Sequence, residues 1–407
     1  DSDLLGGVLI RAGDTVIDGS LSLTGVVTVS QLAQAILERG VAGHVRDVLK
    51  SMLDTRRLSD AAVRELYERM LRNSGERTAL VESTERLAQA GSLQKIEEFE
   101  DAEFDAALVA EMEQAGSAGR QRLVRFSTPT FKEYESSELQ SCGKNSFPAF
   151  SITAGGCALM CDHCEARILE PMIPAVKPEH LDRQVRRLIE TEDLQGFLLS
   201  GGSNKRNEIR YSRFYPVVEG LKRDFPHLRI AIHTALTDEA GAKEMESAGV
   251  DVAMLDIIGA EETIRDVYHL DRPVEDFEAT LAALCSTKMQ ISPHIVIGLH
   301  YGRILGEENA LDILSRHDTK ALVLVVIMPF YARPGTFSTP ATTDVGRIFL
   351  EARRRLPERQ VLLGCARPPG MHKRVTDAYA VMAGLDGIAF PADGAVAVAG
   401  VTGRPFH

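Results

Sequence analysis

Apolar residues follow two different rhythms along the chain. Near the start, the runs Gly7-Val8-Leu9-Ile10-Arg11 and Thr15-Val16-Ile17 flank Ala12-Gly13-Asp14, a pattern that predicts a β hairpin. From Thr28 to about Gln121 the rhythm becomes helical. Val63, Leu66, Tyr67 and Met70 stand at i, i+3, i+4 and i+7, behind a Leu58-Ser59-Asp60 start where Ser59 or Asp60 can cap the first turn. Between Glu97 and Glu113, the residues Phe99, Phe104, Leu108 and Met112 keep helical spacing among many acids. Those acids are expected to form the solvated face, with partner docking as the alternative. Gly116-Ser117-Ala118-Gly119 reads as a linker.

Beyond Phe147 short apolar runs alternate with amphipathic segments, the signature of repeated βα units around a parallel sheet. Eight strands are predicted, over Ala149–Thr153, Gly196–Leu199, Arg229–His233, Val252–Asp256, Ser292–Ile297, Ala321–Ile327, Gln360–Leu363 and Gly387–Phe390. Helices such as Leu181–Glu190 and Asp276–Leu284 lie between them. The span from Phe147 to the end is close to the roughly 250 residues typical of a closed barrel. The expected architecture is therefore an α/β fold, a TIM-type (β/α)8 barrel over residues 126–407. A mainly helical N-terminal segment, residues 1–125, precedes it and opens on the short hairpin. An open doubly wound sheet is the alternative. Barrel geometry puts chemistry on the loops after the strands.

Composition narrows the classes of function. The chain has 407 residues, 44% hydrophobic and 26% charged, enough apolar material for a real core. Its 46 Lys+Arg against 58 Asp+Glu give a formal charge of -12, which opposes phosphate-backbone binding, so no nucleic-acid partner is expected. No run approaches the roughly 20 apolar residues of a membrane span, and Asp1-Ser2-Asp3 is not a basic leader, so no membrane or secreted destination is expected. Six cysteines, three of them crowded into eight residues, do not make a disulfide framework. A reducing cytoplasm is the expected setting.

That crowded trio is the strongest chemical signal. Gly155-Gly156-Cys157-Ala158-Leu159-Met160-Cys161-Asp162-His163-Cys164 is a C-x3-C-x2-C array directly after the first barrel strand. Three thiolates on one loop can ligate three irons of a 4Fe–4S cube and leave the fourth open as a reaction site. The alternative is a zinc knuckle with His163 as fourth ligand. His163 adjoins Cys164, however, and adjacent side chains rarely reach one tetrahedral ion together.

With this spacing after the first strand of a βα barrel, the region from about Cys142 to Phe390 resembles the radical S-adenosylmethionine (SAM) superfamily. The resemblance implies that Cys157, Cys161 and Cys164 hold the cluster and that the open iron takes the amino and carboxylate groups of SAM. Reduction would then yield methionine and a 5′-deoxyadenosyl radical. His163 stands where the family usually carries an aromatic residue near the adenine. Leu199-Ser200-Gly201-Gly202-Ser203 resembles the glycine-rich turn that meets the methionine amino group, where glycine permits close backbone approach. Ser203 replaces a frequent acid there, which leaves that work to backbone carbonyls. Asp256 is a candidate for the ribose hydroxyls, or else a helix cap or salt-bridge partner. Ile297 and Gly298, inside Pro293-His294-Ile295-Val296-Ile297-Gly298-Leu299-His300-Tyr301-Gly302, fall in what resembles the adenine-contacting strand. His233 is either a cofactor-binding or catalytic residue or a satisfied barrel histidine.

The remaining cysteines bear on the reaction. Cys142, shortly before the first strand, and Cys365, in Leu363-Gly364-Cys365-Ala366-Arg367-Pro368-Pro369-Gly370, are both expected near the barrel mouth, while Cys285 reads as a small buried hydrophobe. Cys142 and Cys365 either help hold a second iron–sulfur cluster, with Arg367 or a substrate group completing the set, or are unrelated thiols. The segments Ser151-Ile152-Thr153, Cys161-Asp162-His163-Cys164, Pro293 to Leu299 and Gly364 to Pro368 are similar to a group of biotin-synthase-like radical proteins. That group includes one partner of the archaeal-type two-protein lipoyl synthases. The resemblance implies a sulfurtransferase that inserts sulfur into an octanoyl chain on a lysine of a carrier domain. A sister radical SAM protein would complete the product, and ferredoxin or flavodoxin would donate the electron. The alternatives are a radical SAM methyltransferase, mutase or carbon–carbon bond-forming enzyme of cofactor biosynthesis, and a non-enzymatic scaffold with a structural metal site.

Overall fold

A computed structural model describes residues 3–5, 8–10, 17–18, 93, 96–119, 122–128, 138–139, 146–328 and 330–407. The chain divides into two compact units, Asp1–Gln114 and Ala115–His407.

In the first unit, β1 (Asp3–Leu5), β2 (Val8–Ile10) and β3 (Ile17–Asp18) form an antiparallel sheet in that order. The β2–β3 pairing, Leu9 with Asp18 and Ile10 with Ile17, is the expected hairpin, and β1 extends it along the other edge of β2. The helix expected around Val63, Leu66, Tyr67 and Met70 lies outside the described residues. The acidic stretch is not one continuous helix. A 3-10 turn, Glu97–Phe99, is followed by a break and then by α1 (Ala106–Gly119). Asp105 fixes that new start, its Oδ1 accepting from the N–H groups of Ala107 at 2.9 Å and Leu108 at 3.0 Å. Phe99, Leu108 and Met112 are buried while Glu103 and Glu111 face solvent, as their spacing requires. Residues 116–119, expected to be a linker, continue α1 instead. Each glycine costs a helix about 1 kcal/mol relative to alanine, a penalty that its last turn can absorb.

The second unit is built on one sheet of ten parallel strands. The eight expected strands are β5 (Ala149–Ser151), β7 (Gly196–Ser200), β8 (Arg229–His233), β9 (Val252–Asp256), β10 (Gln290–Ile297), β11 (Ala321–Val326), β12 (Gln360–Leu363) and β13 (Gly387–Ala389). Their spatial order is their chain order. Two short strands that carry no sequence signal, β4 (Arg125–Ser127) and β6 (Ile173–Pro174), add one ladder at either end. Helices fill the connections: α2 (Pro178–Thr191), α3 (Tyr215–Asp224), α4 (Glu239–Ser247), α5 (Glu261–Asp266), α6 (Val274–Cys285), α7 (Glu307–Ser315), α8 (Thr342–Arg355), α9 (Met371–Met382) and α10 (Ala395–Val401). This is the parallel α/β barrel fold of the TIM type.

Burial alternates along the strands in a way that defines inside and outside. In β10, Ile291, Ile295 and Ile297 are buried beneath the helices, whereas His294 and Val296 are half-buried because they face a cavity in the barrel. Met254 and Asp256 of β9 behave in the same manner. The far end of the barrel is tied by ion pairs. Asp386 accepts from Arg122 Nε at 2.7 Å, Arg353 Nη1 at 2.8 Å and the Val361 N–H at 2.8 Å. No described helix is long and apolar enough to cross a membrane.

Candidate active site

The loop after β5 is shaped by its backbone before any ligand is considered. Ala154, Met160, Glu165 and Ala166 all adopt left-handed φ values, between 45° and 63°, which turn the chain repeatedly around one point. Neighbouring loops pin it there. The Ala158 N–H donates to Ser203 O at 2.8 Å, the Gly202 N–H to Thr153 Oγ1 at 2.7 Å and the Asp162 N–H to Val267 O at 3.0 Å. Asp162 also holds His269 Nε2 through Oδ1 and accepts from the Tyr301 hydroxyl through Oδ2, each at 2.9 Å. Gly202 makes the closest approach. A Cβ on it would stand 2.6 Å from Cys157 Cα and collide with the Gly156 carbonyl, so only glycine lets these two loops meet.

Between the loops, at the C-terminal ends of the strands, lies a cavity of about 480 Å³. Cys157, Cys161, Cys164, His163, Ser200, Gly201, Gly202, Ser203, His233, Asp256 and Cys365 all line it, although they come from five different connections or strand ends. Ile297 and Gly298 do not. Strand parity turns Ile297 outward under the helices and leaves Val296 on the wall, and the Gly298 N–H is taken by Glu307 Oε1 at 2.8 Å. Arg367 corrects a second expectation. Its guanidinium, fully buried, makes a two-pronged pair with Asp377 at 2.5 and 2.9 Å and donates to the carbonyls of Gly364, Ala389 and Phe390. That fork has no edge left for a cluster, so Arg367 is an anchor of the β12 loop. Cys142 lies outside the described residues, and Cys285, half-buried at the end of α6, is not part of the wall.

Two wall residues escaped the sequence reading of the site. Tyr268 packs its ring on His163, centroids 5.1 Å apart and planes tilted 32°, and its hydroxyl stands 3.5 Å from Asp256 Oδ2. Nothing in its neighbourhood in sequence marks it. His294 was legible in principle, since the alternation that buries Ile295 and Ile297 turns residue 294 inward. Its ring lies 5.6 Å from that of His233.

The wall divides electrostatically into two parts. Burial, reinforced by the other thiols, pushes the Cys161 thiol far up, and burial holds Cys164 at about 11. A metal ligand must be the thiolate, so these groups bind only together with a cationic partner that reverses the cost. Burial lowers His163 to about 4 and, with the charge of His233, lowers His294 to about 4. Asp256 is different. Burial opposes its ionisation, but the imidazole of His233, 3.7 Å away, outweighs that and holds the carboxyl at about 2. His233 is correspondingly raised, its partner Asp256 overcoming the burial that works the other way.

The donor set fits a cluster better than a single ion. In tetrahedral zinc, with Zn–S near 2.3 Å, sulfurs stand about 3.8 Å apart. Among the described residues the group of three His, Cys, Asp or Glu ligand atoms lying within 4.8 Å of one another is His233, Asp256 and His294; the cysteine trio is spread more widely. His163 is engaged with Tyr268, and its Nδ1 is buried without a hydrogen-bond partner. Three thiols on the wall of one open cavity would hold three irons of a 4Fe–4S cluster and leave the fourth for a ligand.

No protein-family model matches the chain, and no curated protein matches it in sequence. Among solved structures, a crystal structure of HydG, a maturase of the FeFe-hydrogenase, aligns with a TM-score of 0.50 at 12% identity, over 84% of this chain and 71% of that one. HydG from Carboxydothermus hydrogenoformans gives 0.46 at 14% identity, over 88% and 76%. Methylornithine synthase (PylB) gives 0.45 at 12% identity, over 84% and 85%. At such identities the likeness to the first HydG structure is one of fold alone, the parallel α/β barrel described above.

Proposed function

We propose that the chain is a radical SAM enzyme that activates an aliphatic C–H bond. The observation that carries this reading is the convergence of Cys157, Cys161 and Cys164 with the Ser200–Ser203 turn and Asp256 on one cavity at the strand ends. A 4Fe–4S cluster on the three thiolates supplies, when bound and reduced, the electron that cleaves SAM to a 5′-deoxyadenosyl radical. The chain's own residues position and shield. The bare backbone at Gly201 and Gly202 admits the amino-acid end of SAM, the ionised Asp256 accepts from its ribose hydroxyls, and the His163–Tyr268 ring pair offers a flat surface to its base. In anaerobically reconstituted protein, Cys161→Ala is expected to abolish 5′-deoxyadenosine formation; undiminished cleavage refutes the reading.

The wall narrows the substrate. Leu169, Met172, Ile209, Phe277, Val325 and Ile327 make it largely apolar, and no Lys or Arg is among its described lining residues. Such a surface suits an uncharged aliphatic chain and penalises a free carboxylate or phosphate. The finer proposal is sulfur insertion into an octanoyl chain on a lysyl carrier domain, with a sister radical SAM protein and an electron from ferredoxin or flavodoxin. Its support is the apolar wall and Cys365 at the mouth. Replacing Cys365 by Ala is expected to spare uncoupled SAM cleavage and block thiolation. The engagement of Arg367 with Asp377 favours a second reading, a single-cluster methyltransferase, mutase or carbon–carbon bond-forming enzyme. Iron and sulfide counts on anaerobic protein separate the two: two clusters support sulfur insertion, one cube the alternative.

A further inference from the structure

The same wall carries a second donor set that the cysteine chemistry does not use. His233 ends β8, Asp256 ends β9, and His294 pairs in register with Asp256 on β10, so three adjacent strands deliver two imidazoles and a carboxylate to one spot. One ligand atom from each lies within 4.8 Å of the others. His233 Nε2 is 3.7 Å from Asp256 Oδ1, too long for a hydrogen bond and near the spacing of two donors that share an ion at about 2.1 Å each. His294 Nδ1 is buried with no hydrogen-bond partner, an unusual state for a ring nitrogen inside a protein.

We propose that His233, Asp256 and His294 form a binding site for a divalent first-row transition-metal ion, separate from the cysteine loop. Two imidazoles with one carboxylate make a mixed donor set that zinc and iron(II) both accept, and three protein ligands leave coordination positions open toward the cavity. Asp256 can serve both this ion and a SAM ribose, because its two oxygens face different ways, Oδ1 toward His233 and Oδ2 toward Tyr268. The tyrosine hydroxyl at 3.5 Å would act as an outer-shell group that orients the carboxylate. An oxygen of whatever occupies the cavity could complete the coordination sphere, which would place a Lewis acid within reach of the substrate.

The test uses the full chain with Cys157, Cys161 and Cys164 all replaced by Ser, stripped with a chelator and titrated with Co2+. One equivalent is expected to bind and give weak visible absorption without the near-ultraviolet bands of cobalt–thiolate coordination. Adding His233→Gln and His294→Gln should weaken binding by more than the roughly 10–100-fold that loss of an outer-shell partner costs. Far-UV circular dichroism checks the fold of each variant. A second measurement needs no cysteine change: the cluster-reconstituted chain should hold one Zn2+ beside its iron by elemental analysis, and the double histidine variant should lose the zinc and keep the iron. Absence of Co2+ or Zn2+ binding, or binding that survives both histidine changes, overturns the proposal. Loss of iron with intact zinc would instead count against the radical SAM reading and leave this site standing.

Discussion

Gly202 shows how much the candidate site asks of single residues. Because any side chain there would strike the Gly156 carbonyl and Cys157, Gly202→Ala must push the cysteine loop out of place. Overpacking of this kind costs about 1–3 kcal/mol, but the larger effect should be on iron content, which is expected to fall sharply in the reconstituted variant while the barrel still unfolds cooperatively. Iron per chain and a thermal melt measure the two effects separately. At this scale the sequence is legible where the information is local, and the structure brings such residues to one cavity wall. The three cysteines declare themselves by spacing alone, and the Gly-Gly turn by its place after a strand. Arg367 misled because its partner, Asp377, sits ten residues on and inside α9, where no short pattern joins a guanidinium to a buried carboxylate. Ile297 misled for a simpler reason, since a one-residue change of parity moves a side chain to the opposite face of a strand, and the N–H of Gly298 just beyond the strand is committed to Glu307.

Among the elements, the long apolar strands were legible because a strand covered on its outer face by helices must be apolar for several residues in a row. β4 and β6 were not, being two or three residues long with every position exposed or half-buried. Helix ends depend on residues far away in the chain, which hides them as well. The last helix, α10, is an example: Glu138 Oε2 accepts from the Gly394 N–H at 2.9 Å and Oε1 from the Ala397 N–H at 3.1 Å, an N-terminal cap supplied from more than 250 residues earlier. A carboxylate there both satisfies orphan donors and meets the positive end of the helix dipole, so Glu138→Ala is expected to cost about 1 kcal/mol. Urea unfolding would show this as a lower midpoint with an unchanged slope, and Glu138→Gln should recover part of the loss.

Over the whole molecule, the cavity wall runs from Cys157 to Ala366 and so belongs entirely to the unit Ala115–His407. A chain beginning at Ala115 is accordingly expected to take up as much iron per mole as the full chain and to cleave SAM without substrate. Loss of iron binding on truncation would make the first 114 residues part of the site's architecture. The count of βα units was enough to name a barrel from the sequence, since each parallel strand needs its own helical return. The substrate was not legible to the same degree, because a cavity wall is assembled from one residue here and another there, and apolar wall residues look like core in any linear pattern.

The four left-handed residues of the cysteine loop have a consequence for how this stretch can drift. Ala154, Met160, Glu165 and Ala166 hold no ligand, yet a β-branched residue at any of them would fight the backbone. Glycine and asparagine should be admitted freely there and valine and isoleucine hardly at all. The handedness of the chain thus acts as a filter on inheritance, and it guards the three sulfurs through backbone shape rather than through side-chain chemistry.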